Sequence, residues 1–416
     1  MDASDAIVDA IFGADADVVG DRRFRALLVA SAVSPLGTAI VSPLLDALTG
    51  PFGVTEARIG LLVAAFTAPS IVAIPVVGVL SDRVGRKPVL VTGLTVFGLT
   101  GLAVALTTDF RVALALRLLQ GLGYCGIGPV LITAVGDLYA GEREATAQGA
   151  RFTAVGLSLS VAPLAAGLLA GLAWQYPFLL YGLALLAAAV VAVSFEEPDG
   201  TDDDGRAGLW GAAALLARPR VAVTLVGRAV PSFVWFAFLT DASIVVRLLG
   251  GSAATAGVVV AVASLGSAVG ATQVGRLTAA VGGRRLPLLG AGTAAAVGLA
   301  GVALAPSVPL AALGAVAVGA GFGVSITLYR SEMTRLAPAR RRGSLVSVGE
   351  SVGRLGSTAA PVVAGTLVVL ARPTLGFDGA VRAALLAVTA GALVVGTVCV
   401  LAATRLPPPP DAPAAD

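Results

Sequence analysis

Histidine is absent from this chain of 416 residues, and Lys87 is its only lysine. Without imidazole, proton transfer near neutral pH falls to carboxylates, and the commonest metal ligand is missing. The two cysteines, Cys125 and Cys399, lie far apart within apolar runs and form neither a disulfide framework nor a metal-binding spacing. Charge is scarce: Asp, Glu, Lys and Arg make up 13% of the residues, about half the share in a soluble domain. That is too little polar surface to cover a water-soluble globule. No GxxxxGK[ST] phosphate loop occurs, which argues against an ATP-driven pump. No nucleic-acid motif accompanies the net charge of +3. With no metal cluster, nucleotide loop or large soluble domain, the chain reads as neither an enzyme nor a cofactor protein.

Apolar and small residues dominate instead. Hydrophobic residues are 57% and glycines number 52, with a mean hydropathy of +0.92. Small residues let helix backbones approach closely in lipid, where burial of apolar surface does not drive association. A bilayer core needs about 20 apolar residues per helix. Such runs lie near 26–48, 57–80, 89–107, 111–136, 146–170, 176–195, 220–241, 255–278, 286–305, 309–330, 344–370 and 379–403. The expected fold is an all-α membrane protein of twelve helices in two six-helix bundles, 26–195 and 220–403. A linker at 196–219 joins them, with a leader at 1–25 and a tail at 404–416.

Basic residues orient the chain. Arg83, Arg86, Lys87, Arg143, Arg284, Arg285, Arg335, Arg340, Arg341 and Arg342 fall in one set of loops, whereas Arg58, Arg111, Arg247 and Arg372 are scattered in the other. Cytoplasmic loops are enriched in Lys and Arg, so the rich loops, both termini and the linker are expected in the cytoplasm of a prokaryotic cell. The leader carries Asp2, Asp5, Asp9, Asp15, Asp17 and Asp21 and lacks the basic start of a signal peptide. Acids also cluster in the linker (Glu196, Glu197, Asp199, Asp202, Asp203, Asp204). Acidic soluble parts with almost no lysine fit a salt-adapted organism, although GC-rich coding gives the same lysine poverty.

The two halves repeat. Gly121 and Gly319, Pro163 and Pro361, and Gly167 and Gly365 are each 198 residues apart, and Gly78 and Gly275 are 197 apart. Parallel duplication of a six-helix half is a transporter architecture, with the substrate site between the halves near the midplane.

The most specific motif is Gly78-Val-Leu-Ser-Asp82-Arg83-Val-Gly85-Arg86-Lys87, between the second and third runs. Gly85 permits a tight turn, and Asp82 is placed where an arginine or a helix N-terminus can neutralise it. This GxxxDRxGRK loop resembles the signature of the major facilitator superfamily. The resemblance implies that Asp82 contacts the start of helix 11 as a conformational latch, and that an arginine of the loop partners an acid at the end of helix 4, where Asp137 sits. In the second copy Ala279 replaces the Asp. The fourth run carries Arg117-Leu-Leu-Gln120-Gly121, similar to the family's RxxQG pattern, which implies proton or substrate coupling. An arginine that snorkels to the headgroups is the plainer reading. Gly156, Pro163 and Gly167 resemble the helix-5 motif of the twelve-helix drug:proton antiporters, with Ala162 and Ala166 in place of glycines. Close packing of small residues is the alternative.

Ionisable residues within membrane spans mark functional sites by default. Arg228 and Asp241 lie in the seventh run, Asp46 in the first, and Glu350 and Arg354 in the eleventh, four apart on one face and able to pair. Glu350, Asp46 and Asp241 are the candidate proton carriers. Phe233, Trp235, Phe236 and Phe238 cluster beside Pro231, with Phe322 and Tyr329 in the tenth run. They either line an apolar pocket or form a core stripe. The function expected is alternating-access transport of a small organic molecule by a lipid-embedded monomer, as proton-coupled efflux of drug-like or hydrophobic compounds. The alternative is an organic-anion carrier built on Arg117, Arg228 and Arg354.

Overall fold

The computed structural model describes residues 18, 20–139, 141–197, 218–336 and 342–407. The linker acids at 199–204, most leader acids, Arg340, Arg341 and the end of the tail lie outside the described residues. The described chain is helical throughout. We label the spans α1 Arg22–Phe52, α2 Glu56–Val84, α3 Arg86–Val104, α4 Phe110–Leu138, α5 Thr146–Ala170, α6 Tyr176–Ser194, α7 Pro219–Leu248, α8 Ala253–Thr272, α9 Arg285–Leu304 and α10 Val308–Met333. The last helical stretch, Arg342–Arg405, is broken at Gly376, whose φ of 68° and ψ of −177° no α-helix contains. It therefore forms α11 (342–375) and α12 (377–405), completing twelve.

The spans exceed the expected runs at several ends because polar turns continue the helices beyond the apolar core. Several are jointed. In α1 the α-helix stops near Pro35 and passes through a 3-10 turn at Ser42–Leu44. In α2 a joint precedes Pro69, and in α4 a joint at Gly126 and Ile127 precedes Pro129. Proline removes a backbone donor and clashes with the preceding turn, which explains breaks at these places. The 78–87 loop marks one face of the bundle, here called the basic face; α1 ends on the opposite face.

Caps fix the helix ends. Asp21 accepts from the Arg23 amide at 2.8 Å and from the Tyr139 hydroxyl at 2.8 Å, tying the start of α1 to the end of α4. Burial pushes the Asp21 carboxyl up, but these hydrogen bonds outweigh it, and Asp21 titrates below the usual carboxylate range. Ser252 and Thr255 form a reciprocal capping box on α8.

The repeat seen in sequence is a repeat of packing. A side chain at Gly121 in α4 would run into the Phe66 carbonyl of α2, and one at Gly319 in α10 would run into the Ala263 carbonyl of α8. Gly257 of α8 faces the Pro163 carbonyl of α5, just as Gly60 of α2 faces Pro361 of α11. The six-helix bundles are thus related internally and also where they meet.

The bundles diverge toward the basic face. Gly167, Gly156 and Gly149 lie on one face of α5, at separations of whole helical turns. A Cβ on Gly167 would sit 2.6 Å from the Ala253 carbonyl, and one on Gly156 would sit 3.8 Å from Ala268. A Cβ on Gly149 would meet nothing within 4 Å. Along α2, Gly60 packs on Thr240 and Pro361, whereas Gly78 faces open space. The halves thus approach each other more closely at the opposite face than at the basic face along α5.

Candidate functional site

Charged residues gather at separate depths along the membrane normal. At the basic face, Gly85 (φ 95°) turns the chain from α2 into α3, in a region only glycine adopts without strain. Glu197 accepts from the Lys87 amide at 2.5 Å, satisfying an open N–H at the start of α3. Arg86 is the buried hub. Its Nε donates to Asp137 at 2.9 Å, and its Nη1 donates to Ser81 at 2.6 Å and to Asp82. One guanidinium thereby ties the ends of α2, α3 and α4, while Arg83 points to solvent. Asp82 is engaged by Arg86 and 47% exposed. The first residues of α11, which the resemblance makes its partner, have side chains outside the described residues. Removing the hub by Arg86→Gln leaves two carboxylates without their shared cation. The expected result is a loss of about 1–3 kcal/mol, read as a lowered Tm in detergent. Asp82→Asn and Asp137→Asn should show non-additive effects in a double-mutant cycle, as residues sharing one partner do.

Arg117 is fully buried in the other half of the membrane. Its Nε donates to the Leu62 carbonyl at 3.0 Å and its Nη2 to the Gly37 carbonyl at 2.7 Å. Its Nη1 donates to Gln120 Oε1 at 2.6 Å and to the Tyr181 hydroxyl at 3.3 Å. The guanidinium also lies 4.5 Å from the centre of the Phe66 ring. Gln120 passes its amide to the Phe97 carbonyl, and Tyr181 passes its hydroxyl to the Leu36 carbonyl. Five helices of the first bundle meet on this network. Arg117 therefore neither snorkels nor joins Arg228 and Arg354 in one central site, as the anion-carrier expectation had it. Its donors are taken by the Gly37 and Leu62 carbonyls, Gln120 and Tyr181, all within the first bundle.

The third group lies where the bundles meet. Glu350 of α11 pairs with Arg330 of α10 at 2.8 Å through Oε1 and with Arg228 of α7 at 3.3 Å through Oε2. The expected Glu350–Arg354 pair does not form. Arg354 points across the interface, donating to the Tyr124 hydroxyl of α4 at 2.8 Å and lying 5.0 Å from that ring's centre. A neighbour on the same helix face is not the best partner when arginines on α7 and α10 present both nitrogens to the carboxylate. Gly353 makes room for Arg228, because a Cβ there would sit 2.6 Å from Nη1. Arg151 of α5 completes the group from the first bundle. It is 4% exposed, donates to Gln148 at 3.0 Å, and feels the repulsion of Arg330. Arg151, Arg330 and Tyr124 were missed as site residues in the sequence. Arg151 and Arg330 are nonetheless lone arginines within apolar runs, the same signal that marked Arg228.

The model of a known family, described as the Major Facilitator Superfamily, matches residues 27–361 and 224–416. The chain belongs to this superfamily. Relatives in the superfamily include the bacillibactin exporter of Bacillus subtilis, 31% identical over 164 residues that cover 38% of this chain and 41% of the relative. Multidrug transporter MdfA of Edwardsiella piscicida is 33% identical over 162 residues, covering 38% of each chain. The matched segment thus spans about two fifths of the length of these curated relatives. Among solved superfamily structures, an inward-facing, occupied bacterial homologue of the human lysosomal transporter Spinster has a TM-score of 0.79 at 18% identity, covering 92% of this chain and 96% of that one. A D-xylose-proton symporter has a TM-score of 0.73 at 16% identity, covering 93% and 98%. These likenesses establish the twelve-helix fold. Superfamily members are transporters rather than enzymes, and they carry small molecules.

Where the two superfamily bundles touch, at the opposite face, the contacts are polar. Ser42 of α1 donates to the Leu239 carbonyl of α7 at 2.5 Å, and the Asp46 amide donates to Ser243 at 3.2 Å. Arg247 of α7 pairs with Asp46 at 2.5 Å and Glu56 at 3.5 Å. At the midplane Thr358 and Thr67 share a hydrogen bond of 2.9 Å. Asp46 is thus an ion-pair member of a closed face. Asp241 differs: it is 4% exposed, and its Oδ2 has no hydrogen-bond partner. It lines a small cleft with Glu56, Thr240, Pro361 and Phe377, between α7 and the ends of α2, α11 and α12. The α7 aromatics are core rather than cavity wall: Trp235 stacks on Phe322 at 4.9 Å, and Trp235, Phe236 and Phe238 are buried. Pro163 and Gly167 form the close α5–α8 contact.

Proposed function

We propose that the protein exports a small organic molecule across the cell membrane by alternating access, with the basic face in the cytoplasm and protons as the coupling ion. The observation that carries this reading is the polar seal between the bundles at the opposite face, where Arg247 pairs with Asp46 and Glu56, while Gly149 and Gly78 nearer the basic face meet no neighbour within 4 Å. A carrier sealed on that side loads from the cytoplasm. The export direction is supported by the relatives, whose names describe an exporter and a multidrug transporter.

In this reading the seal formed by Asp46, Glu56, Arg247, Ser42 and Ser243 opens when the bundles rock, and the basic face closes. Asp82, engaged here by Arg86, then meets the start of α11 and acts as the latch of the closed state. Asp241 is the coupling carboxyl. A lone carboxylate buried without a partner is costly, whereas its neutral form is tolerated. The sealed face therefore holds Asp241 protonated, and opening that face brings it to outside water. External acid then favours closure of the emptied carrier, which is the return step of an exporter. Coupling is complete when that proton is given up to the cytoplasmic side, a release that substrate loading drives, since the sealed face by itself favours the protonated form.

The test uses proteoliposomes holding the purified protein under an imposed proton gradient, with lipophilic cations, neutral hydrophobic compounds and organic anions as probes. Substrate-linked pH change is expected with wild type. Asp241→Asn keeps the volume but cannot ionise, so gradient-driven transport falls at least about tenfold, while substrate exchange without a gradient persists. Gradient-driven transport at the wild-type rate in this variant would remove Asp241 from the mechanism.

A further inference from the structure

The charge balance between the bundles, taken with the export reading above, points to the chemical class of the cargo. Four guanidinium groups lie near one another there: Arg151 from the first bundle and Arg228, Arg330 and Arg354 from the second. Among the described residues the carboxylate paired with them is Glu350, and both of its oxygens are taken, Oε1 by Arg330 and Oε2 by Arg228. Among the described residues Arg354 has the neutral Tyr124 hydroxyl as its hydrogen-bond partner across the interface. Arg151 has the neutral amide of Gln148 as its hydrogen-bond partner and lies 4.5 Å from the centre of the Phe152 ring, and its buried Nη2 has no hydrogen-bond partner among the described residues. The buried Nε of Arg228 also lacks one. The side chain of Arg330 is 40% exposed.

Buried cations are normally paired, because removing a charge from water is costly unless another charge and good hydrogen bonds replace the water. Here the missing partner is an anion, and a planar guanidinium is matched in geometry to carboxylate, sulfonate or phosphate oxygens. We propose that the protein exports organic anions, and that the acidic group of the substrate seats between Arg151 and Arg354, with the Tyr124 hydroxyl and Arg330 at its edges. Glu350 is the built-in counterion that holds Arg228 and Arg330 in place.

The seat also explains how loading triggers the swing. Arg151 belongs to one bundle and Arg330 and Arg354 to the other. Closing the basic face drives these like charges together, and repulsion opposes the closure of an empty carrier. An anion between them converts the repulsion into attraction to both bundles. Its differential affinity for the closed state is what shifts the equilibrium. An interior-negative membrane potential then assists the outward movement of the anion.

Four probes share one aromatic body and differ in charge: 1-naphthoate, 1-naphthalenesulfonate, neutral 1-naphthalenemethanol and cationic 1-naphthylmethylammonium. Binding to the purified full-length protein is measured by calorimetry, and counterflow is measured in proteoliposomes. The two anions are expected to bind at least about tenfold more tightly than the neutral probe, and the cation least. Arg151→Gln and Arg354→Gln should each weaken anion binding about 10- to 100-fold without weakening the neutral probe. Arg151→Lys, which keeps the charge and guards against a folding defect in the glutamine variant, should lose less. Neutral binding as tight as anion binding overturns the anion seat, as do anion affinities that survive both glutamine variants. Counterflow of the cation or the neutral probe with the anions inert removes the seat and leaves the export reading standing. Arginine-dependent anion binding with no transport of any probe keeps the seat and removes the export reading.

Discussion

Arg117→Ala is expected to cost at least about 3 kcal/mol and to abolish the folded protein in detergent extracts. The side chain is fully buried and donates to two backbone carbonyls, Gly37 and Leu62, and to Gln120 and Tyr181. Truncation leaves these acceptors unpaired in a region where neither water nor another donor replaces the guanidinium. Each unsatisfied group costs about 1–3 kcal/mol. Arg117→Lys is expected to fall between, because one ammonium cannot span the carbonyls of α1 and α2 as a planar fork does. Fluorescence-detected size exclusion and thermal unfolding read the outcome. A well-folded Arg117→Ala protein with wild-type Tm and no transport would sink this account and restore the coupling role implied by the RxxQG pattern.

Arg117 also shows where sequence reading stops. An arginine in an apolar run has to be met by something, and that much is evident from residue type and hydropathy. Which groups meet it depends on how α1, α2 and α6 pack around α4, which residue type and hydropathy do not specify. The twelve spans, the two bundles and the basic loop were legible because length, apolarity and a 198-residue offset are properties of the chain itself. The Arg86–Asp137 pair was legible through the resemblance. The cluster between the bundles was half legible. Arg228, Glu350 and Arg354 stood out as charges in apolar runs, but their pairing depends on the relative rotation of α7, α10 and α11. The sequence neighbours Glu350 and Arg354 share a helix face, yet Arg354 is held by Tyr124 on the other bundle. Arg151 and Arg330 lie close to the ends of their runs, where a charged residue is ordinary.

Gly319→Leu is the second change expected to prevent folding, and its repeat counterpart Gly121→Leu should behave alike. A Cβ on Gly319 overlaps the Ala263 carbonyl, and one turn on, a Cβ on Gly323 overlaps the Ser267 carbonyl. The obstacle in each case is helix backbone, which cannot rotate aside as a side chain can. Helices α8 and α10 would have to move apart along their whole contact, and α2 and α4 likewise for Gly121 against Phe66. Overpacking a core with flexible neighbours costs about 1–3 kcal/mol, so a backbone obstacle places these variants at or above the top of that range. Gly391 in α12 supplies the opposite case. It is exposed, and a Cβ there meets nothing within 4 Å. Glycine costs a helix interior about 1 kcal/mol relative to alanine, so Gly391→Ala should raise Tm while Gly319→Ala lowers it. If both alanine variants shift Tm in the same direction, close backbone approach is not what the repeated glycines serve. If they diverge, the 198-residue repeat records a constraint on helix spacing, imposed once in each bundle.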